Sequence, residues 1–164
     1  MPKVCIDPNA LPALYAKLIS DSVKLCPADM AIGIHLCRGN HRSAWAAEGG
    51  YEPVADIMFN ECGVDTFFLE YDDARSGDFS PLRFVPKGKS VVLGVVCSKT
   101  PVLESKEAMH KRIEEATQYI ALDQLCLSPQ CGFASTHEGN DLSEAEQLAK
   151  LQLVVELASE IWQD

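Results

Sequence analysis

Short runs of apolar residues alternate along the chain with longer segments in which apolar residues recur every three or four positions. The short runs predict strands at residues 3–6, 31–36, 66–70, 90–96 and 124–127. Most of these runs lack the apolar–polar alternation of a half-exposed strand. Their composition is typical of parallel strands that are buried on both faces.

The longer segments predict helices at residues 11–25, 53–62, 105–120 and 144–162. The last helix is the best marked, because Ser143 and Glu146 form a capping box ahead of apolar residues at helical spacing. Strand starts recur at about the length of a βα unit, roughly 30 residues. The pattern predicts an α/β fold of about five βα units with parallel strands. It fits either a doubly wound sheet or part of a TIM-type (β/α)8 barrel.

The segment between the third and fourth predicted strands, residues 71–89, is long and mostly polar and has no clear helical pattern. Because loops of this kind contribute to sites more often than to cores, we expect it to lie near a functional site. No predicted strand is followed by the glycine-rich fingerprint of a dinucleotide-binding fold. The sequence therefore gives little support to a nucleotide-binding function.

Length and charge narrow the classes of function. The 164 residues are 47% hydrophobic, which suits a single domain over residues 1–164. The formal net charge of −10 and the absence of a basic cluster argue against a nucleic-acid partner. No apolar run has the length of a membrane span, and the N-terminus lacks the apolar core of a signal peptide. Seven cysteines, an odd number, favour reduced thiols, so we expect a cytoplasmic protein. Because no run is long enough to span a membrane, we expect no membrane partner.

Four residues with metal-binding side chains lie at the ends of predicted strands. His35 and Cys37 end the second strand, Glu70 ends the third, and Cys131 follows the fifth. The carboxyl ends of parallel strands meet at one edge of a sheet, so a fold could bring these side chains together. One imidazole, two thiols and one carboxylate form a ligand set suited to zinc.

Each of these residues also has a structural interpretation when it is considered alone. His35 and Cys37 could be a buried pair with no ligand, because cysteine is among the most commonly buried residue types. Glu70 could be a carboxylate at the end of its strand that is held by Arg75 or Arg83. Both interpretations remain open from the sequence. The coincidence of all four residues at strand ends favours a shared site.

Asp7 follows the first predicted strand and would face the same edge of the sheet. A carboxylate there could hold a substrate ammonium group, or it could cap the following helix. The remaining cysteines lie in or beside apolar segments and are expected to be packing residues. They are Cys5, Cys26, Cys62, Cys97 and Cys126.

The chain resembles the C-terminal catalytic barrel of cobalamin-independent methionine synthase. This family lies in a superfamily that includes uroporphyrinogen decarboxylase and epoxyalkane:coenzyme M transferase. The resemblance covers essentially the whole chain and rests on IHLCRGN (34–40), FLEYDD (68–73), PKGK (86–89) and SPQCGFAST (128–136). It implies a partial TIM-type barrel, since the similarity begins near the fourth strand of the family.

The resemblance also implies a site and a reaction. It assigns His35, Cys37, Glu70 and Cys131 to zinc and Asp7 to the amino acid substrate. The implied reaction is methyl transfer from 5-methyltetrahydrofolate to the thiol of homocysteine, a step of methionine biosynthesis, with zinc stabilising the substrate thiolate. Two alternatives are alkyl transfer to another thiol, as in the coenzyme M branch, and a non-catalytic zinc-binding or interaction module.

The sequence departs from the family pattern in two respects. A complete barrel has eight βα units in about 250 residues, so about five units would leave unpaired strand edges. We expect a truncated product, a rearranged fold, or completion of the barrel by a second copy or a partner chain. In addition, the stretch VVCSK (95–99) lacks the histidine that long family members carry there, which is expected to act in proton transfer. The zinc site is therefore better supported than the identity of the methyl donor and acceptor.

Overall fold

A computed structural model describes residues 7–134 and 136–163 and shows an α/β fold. Its helices are α1 (Leu11–Val23), α2 (Ala55–Glu61), α3 (Lys106–Thr117) and α4 (Glu144–Trp162). Its strands are β1 (Gly33–Leu36), β2 (Asn40–His41), β3 (Ala44–Trp45), β4 (Thr66–Glu70), β5 (Ser90–Val96) and β6 (Leu125–Pro129).

The main sheet is parallel and has the strand order β1-β4-β5-β6. Within this sheet, each strand is the spatial neighbour of the next sheet strand along the chain, as in part of a (β/α)8 barrel. The predicted fold class is confirmed. Four of the five predicted strands form this sheet, and the fifth, at residues 3–6, lies outside the described residues. The short strands β2 and β3, which the sequence did not predict, pair as a separate antiparallel hairpin.

The four α-helices lie within the predicted segments. α4 has the predicted bounds, and its capping box between Ser143 and Glu146 is present. α2 begins at Ala55 instead of Pro53, because Val54 takes the N-cap position. α3 begins after Ser105, whose hydroxyl accepts the N–H of Ala108 and so caps the helix. None of the helices in the described part of the chain is long and apolar enough to cross a lipid bilayer.

The two faces of the sheet are buried to different degrees. On one face, Phe67 and Leu69 of β4 are fully buried in the apolar core. On the other face, Phe68 is 39% exposed, and β1 alternates between exposed and half-buried residues. The prediction of strands buried on both faces holds for β5 and is wrong for β1. The physical reason is that no described element covers this second face, which we call the open face.

The connection between β4 and β5 contributes to the core. It has no α-helix, as its sequence indicated, and contains the 3₁₀ helices Ala74–Ser76 and Ser80–Phe84. Tyr71, Phe79 and Leu82 are buried, and the rings of Tyr71 and Phe79 lie 4.6 Å apart. These large apolar side chains join the core in place of a crossover helix, while the expected position of the loop near a functional site stays a prediction.

Gly94 lets β5 and β6 approach closely. A Cβ atom at this position would lie 2.8 Å from both the Cα of Gln130 and the carbonyl oxygen of Leu69. Both contacts are with backbone, which cannot rotate away, so we expect Gly94→Ala to lower the free energy of unfolding by about 2 kcal/mol. Urea denaturation would measure the change. Gly132→Ala is a matched control because a Cβ there meets nothing within 4 Å, and equal losses in both variants would contradict the prediction.

Candidate metal centre

The carboxyl ends of three strands bring four potential metal ligands together. His35 and Cys37 lie at the end of β1, Glu70 is the last residue of β4, and Cys131 follows the end of β6. One ligand atom from each residue lies within 4.8 Å of the other three. In the described part of the chain, this is the one group of three or more histidine, cysteine, aspartate or glutamate side chains with such spacing. The structure therefore brings together the four residues that the sequence singled out.

Cys131 is the centre of this group. Its Sγ lies 2.8 Å from Oε1 of Glu70, 3.4 Å from Nε2 of His35 and 3.6 Å from Sγ of Cys37. Glu70 is fully buried, Cys131 is half-buried, and His35 and Cys37 are exposed. The group thus has a buried side at β4 and an accessible side at β1. On the accessible side it borders an open cavity of about 420 Å³ on the open face, whose lining includes Phe68.

The buried carboxylate of Glu70 is held by Arg38, which follows Cys37 in the chain. Oε2 of Glu70 accepts the backbone N–H of Arg38 at 2.9 Å, and the Arg38 guanidinium lies 3.5 Å from the same oxygen. The hydroxyl of Tyr51 accepts the backbone N–H of Glu70 at 2.8 Å and a guanidinium N–H of Arg38 at 3.1 Å. Burial of this carboxylate is therefore compensated by a cation and by direct hydrogen bonds.

The sequence-based alternative gave Glu70 a different partner. Arg83 pairs with Glu52, and Arg75 lies 3.7 Å from Asp72. The cation beside Glu70 instead comes from the turn after β1. Because β1 and β4 are neighbours in the sheet, a residue 32 positions away in the chain lies closer than the arginines of the following loop.

The environment shifts the pKa values of two of the candidate ligands. Burial raises the pKa of the Glu70 carboxyl, but hydrogen bonds from Cys131 and the Arg38 N–H outweigh burial and hold that pKa below its usual value. Burial, followed by the neighbouring Glu70 carboxylate, raises the pKa of the Cys131 thiol above its usual value. A cation between the two groups would offset the repulsion that opposes thiolate formation.

Asp7 lies apart from the four-residue group, exposed at the turn that leads into α1. Its Oδ1 accepts the N–H of Asn9 at 2.9 Å, and its carbonyl oxygen accepts the N–H of Ala10 at 3.0 Å. The N-cap residue of α1 is Ala10, so Asp7 stabilises the preceding turn and does not cap the helix itself. A role for Asp7 in substrate binding stays a prediction.

The other cysteines differ in burial. The six cysteines within the described residues are free thiols, and Cys5 lies outside this range. Cys62 is buried, as expected for a packing residue. Cys126 is exposed, so the prediction of a packing role is wrong for this residue. Cys126 pairs with Val92 of β5, and Val92 pairs with Phe68 of β4. The Cys126 side chain therefore lies on the same open face of the sheet as Phe68, which explains its exposure.

Sequence reasoning missed two polar residues that contact the candidate ligands. Arg38 contacts Glu70, and the buried Gln130 contacts both Glu70 and Cys131. Each of the two is a chain neighbour of a candidate ligand, which is the signal that could have identified it. A polar residue beside a ligand at a strand end often serves to hold that ligand in place.

Comparison with known proteins agrees with the family resemblance found in the sequence. The family model described as the catalytic domain of cobalamin-independent synthase matches residues 23–160. The chain is 54% identical over 157 residues to an uncharacterized protein, YxjH, of Bacillus subtilis. It is 28% identical over 131 residues to the methionine synthase of Pyrococcus horikoshii. These alignments cover 95% and 80% of this chain but only 42% and 34% of the two relatives, so the chain spans less than half their length.

A solved structure shows the same similarity. A putative vitamin-B12 independent methionine synthase from Listeria monocytogenes superposes with a TM-score of 0.74 at 36% sequence identity. The match covers 99% of this chain and 45% of that chain. The described strands and helices therefore correspond to part of a larger α/β structure.

Proposed function

Because the chain belongs to the cobalamin-independent methionine synthase family, we propose that it is a zinc-dependent methyltransferase of methionine biosynthesis. The proposed reaction transfers a methyl group from a methyltetrahydrofolate-like donor to the thiol of homocysteine. The convergence of four ligand atoms at the carboxyl ends of β1, β4 and β6 carries this proposal. In parallel α/β folds, active sites lie at this end of the strands.

The residues of the site fit a zinc ion. Two thiol sulfurs, one imidazole nitrogen and one carboxylate oxygen are the ligand types that zinc prefers. A tetrahedral zinc site places its ligands roughly 3.3–3.8 Å from one another, and the separations of 3.4 and 3.6 Å around Cys131 lie in this range. The ligand atoms of the remaining pairs also lie within 4.8 Å of one another. We propose His35, Cys37, Glu70 and Cys131 as the zinc ligands.

The proposed ligands would also set the charge of the site. Two thiolates and one carboxylate carry −3 against +2 for zinc, a net charge of −1 before a substrate binds. Zinc, when bound, would stabilise the thiolate form of a substrate thiol at neutral pH. The excess negative charge from Cys37, Cys131 and Glu70 would keep electron density on a substrate sulfur, which favours nucleophilic attack on a methyl group. The open cavity beside His35 and Phe68 offers space for the substrate.

Asp7 is the proposed contact for the substrate ammonium group. It is exposed, and its carboxylate makes only a local turn contact with Asn9 among the hydrogen bonds described for it. The free cysteines and the family membership support a cytoplasmic location. The role of Asp7 and the cytoplasmic location are both proposed from the family membership.

A non-catalytic zinc-binding module is the second candidate function. Four protein ligands are typical of structural zinc sites, whereas catalytic sites commonly keep a position open for substrate. The group contains four such ligands, which favours this alternative. A methyltransferase would need a substrate thiol to add to the four ligands or to replace one of them.

We also propose that other strands complete the barrel. Within the described residues, β1 and β6 form the edges of the parallel sheet, and its open face exposes the aromatic ring of Phe68. Unpaired edges are sites for pairing with further strands. The matched segment spans less than half of the relatives, and we propose a partner chain or a second copy as one source of the complementary strands.

The decisive experiment combines native mass spectrometry with thiol methylation assays. We expect one zinc ion per chain and formation of methionine from homocysteine and methyltetrahydrofolate. The same spectra report whether the chain self-associates, and coenzyme M in parallel assays tests transfer to another thiol. Zinc binding without methylation of any thiol would favour the non-catalytic module. Failure of the wild-type chain to bind zinc would overturn the proposed function.

A further inference from the structure

We propose that Gln130 is a positioning residue that holds Glu70 and Cys131 in the orientation needed for metal binding. This inference rests on the proposed function. The Gln130 side chain is almost completely buried. Its Nε2 donates to Oε1 of Glu70 at 2.6 Å and to Sγ of Cys131 at 3.2 Å. One side-chain amide therefore contacts two of the four candidate ligands.

The direction of the Gln130 amide is set by Glu70 and supported by Ser98. The ionised Glu70 carboxylate can only accept, so it requires the NH₂ group, and the Ser98 hydroxyl donates to the opposite end, Oε1 of Gln130, at 2.9 Å. Ser98 is itself fully buried, and its carbonyl oxygen accepts the side-chain N–H of Asn140 at 2.7 Å. A flipped amide would place an oxygen against the Glu70 carboxylate, which can only accept, and would lose the hydrogen bond to Oε1 of Glu70.

Gln130 and Arg38 together control the rotation of the Glu70 carboxylate. Gln130 donates to Oε1, whereas the backbone N–H of Arg38 donates to Oε2. With a separate donor on each oxygen, the carboxylate plane is defined and Oε1 is directed toward Cys131. An oriented ligand loses less freedom on binding a metal ion, and hydrogen bonds from amide groups partly offset the negative charge of the ligand set.

The backbone explains why Gln130 can reach both ligands. The register of β6 shifts against β5 between Gly94 and Val96, and the backbone N–H of Gln130 donates to the carbonyl of Val96 at 2.8 Å. Gly94 has no side chain to obstruct the backbone of Gln130. The end of β6 can therefore bend over β5 and direct the Gln130 amide into the site.

The test measures metal affinity and a spectroscopic property of the site. We expect Gln130→Met, which keeps the size of the side chain but removes both N–H donors, to weaken zinc binding about 10–100-fold in competition with a chromophoric chelator. Gln130→Glu is expected not to restore affinity, because it places a second carboxylate beside Glu70. With Co²⁺ in place of zinc, the visible absorption of the variants should change because the ligand geometry is altered.

Gln124→Met is the matched control. The Gln124 amide also makes two hydrogen bonds, to the carbonyls of Pro86 and Lys89, but it lies at the opposite end of β6. This variant should lose stability while its zinc affinity and Co²⁺ spectrum stay unchanged. The comparison separates a positioning effect on the ligands from a general structural effect.

The outcomes distinguish this inference from the proposed function. Wild-type zinc affinity and an unchanged Co²⁺ spectrum in Gln130→Met would overturn the role of Gln130 and leave the zinc site intact. Absence of metal binding by the wild-type chain would overturn both. If circular dichroism shows that Gln130→Met is unfolded, the Ser98→Ala variant becomes the test. It leaves Gln130 in place but removes the hydrogen bond from the Ser98 hydroxyl to the Gln130 amide. A several-fold loss of affinity in Ser98→Ala supports the role, and wild-type affinity contradicts it.

Discussion

Replacing Cys131 with serine is expected to abolish stoichiometric zinc binding and, with it, methyl transfer to homocysteine. Cys131 Sγ lies within 3.6 Å of a ligand atom of each of the other three residues, so its loss removes the centre of the site. A serine hydroxyl is a poor replacement because it stays protonated and is a harder ligand than a thiolate. The loss of affinity should exceed the roughly 100-fold that removal of a group contacting a ligand can cost.

Metal analysis after dialysis against a chelator, together with a homocysteine methylation assay, would measure these effects. Cys126→Ser is the matched control, because Cys126 lies on β6, the strand that precedes Cys131, and is exposed outside the four-residue group. It should retain zinc and activity. Retention of one zinc per chain by Cys131→Ser would show that the metal assignment is wrong.

The second large effect is expected for Lys150→Met in α4. The Lys150 side chain is completely buried, and its Nζ lies 2.9 Å from Oε2 of Glu104 and also donates to the carbonyl of Val102. Methionine keeps the apolar stem but leaves the largely buried Glu104 carboxylate without its cation. Removing one member of such a pair should lower the free energy of unfolding by about 3 kcal/mol. For a chain of this size, that corresponds to a fall in melting temperature of roughly 6–12 °C.

Thermal denaturation with two further variants would test the cause. Lys106→Met removes an exposed lysine that pairs with Glu156 and Glu160, and it should change the stability little. The double variant Lys150→Met with Glu104→Gln should recover part of the stability, because no buried charge is then unpaired. A double variant no more stable than Lys150→Met would contradict this explanation.

The sequence predicted the central elements of the fold well because their signals are local. The strands at residues 66–70 and 90–96 and the helix at residues 144–162 have the predicted bounds. Each is a strongly apolar run or an amphipathic stripe with polar or capping residues at its ends, so backbone preference and burial agree. The hairpin of β2 and β3 escaped prediction because strands of two residues have too few positions to show a pattern.

The burial of the sheet could not be predicted from composition alone. The apolar run of β1 resembles a strand buried on both faces, yet its alternate residues are exposed because no described element covers the open face. Conversely, the loop after β4 is polar overall, but its few large side chains enter the core. Whether an apolar segment is buried depends on which elements pack against it, and these elements are distant in the chain.

By itself, the sequence determined the ligand types of the candidate site and their positions at strand ends. Only the tertiary structure decided that Cys131 contacts residues 61 and 96 positions earlier in the chain, and that Arg38 and Gln130 hold Glu70. The physical reason is that periodicity and residue type report the preferences of neighbouring residues. Contacts between distant residues depend instead on strand order, on register and on the close approach of β5 and β6 at Gly94.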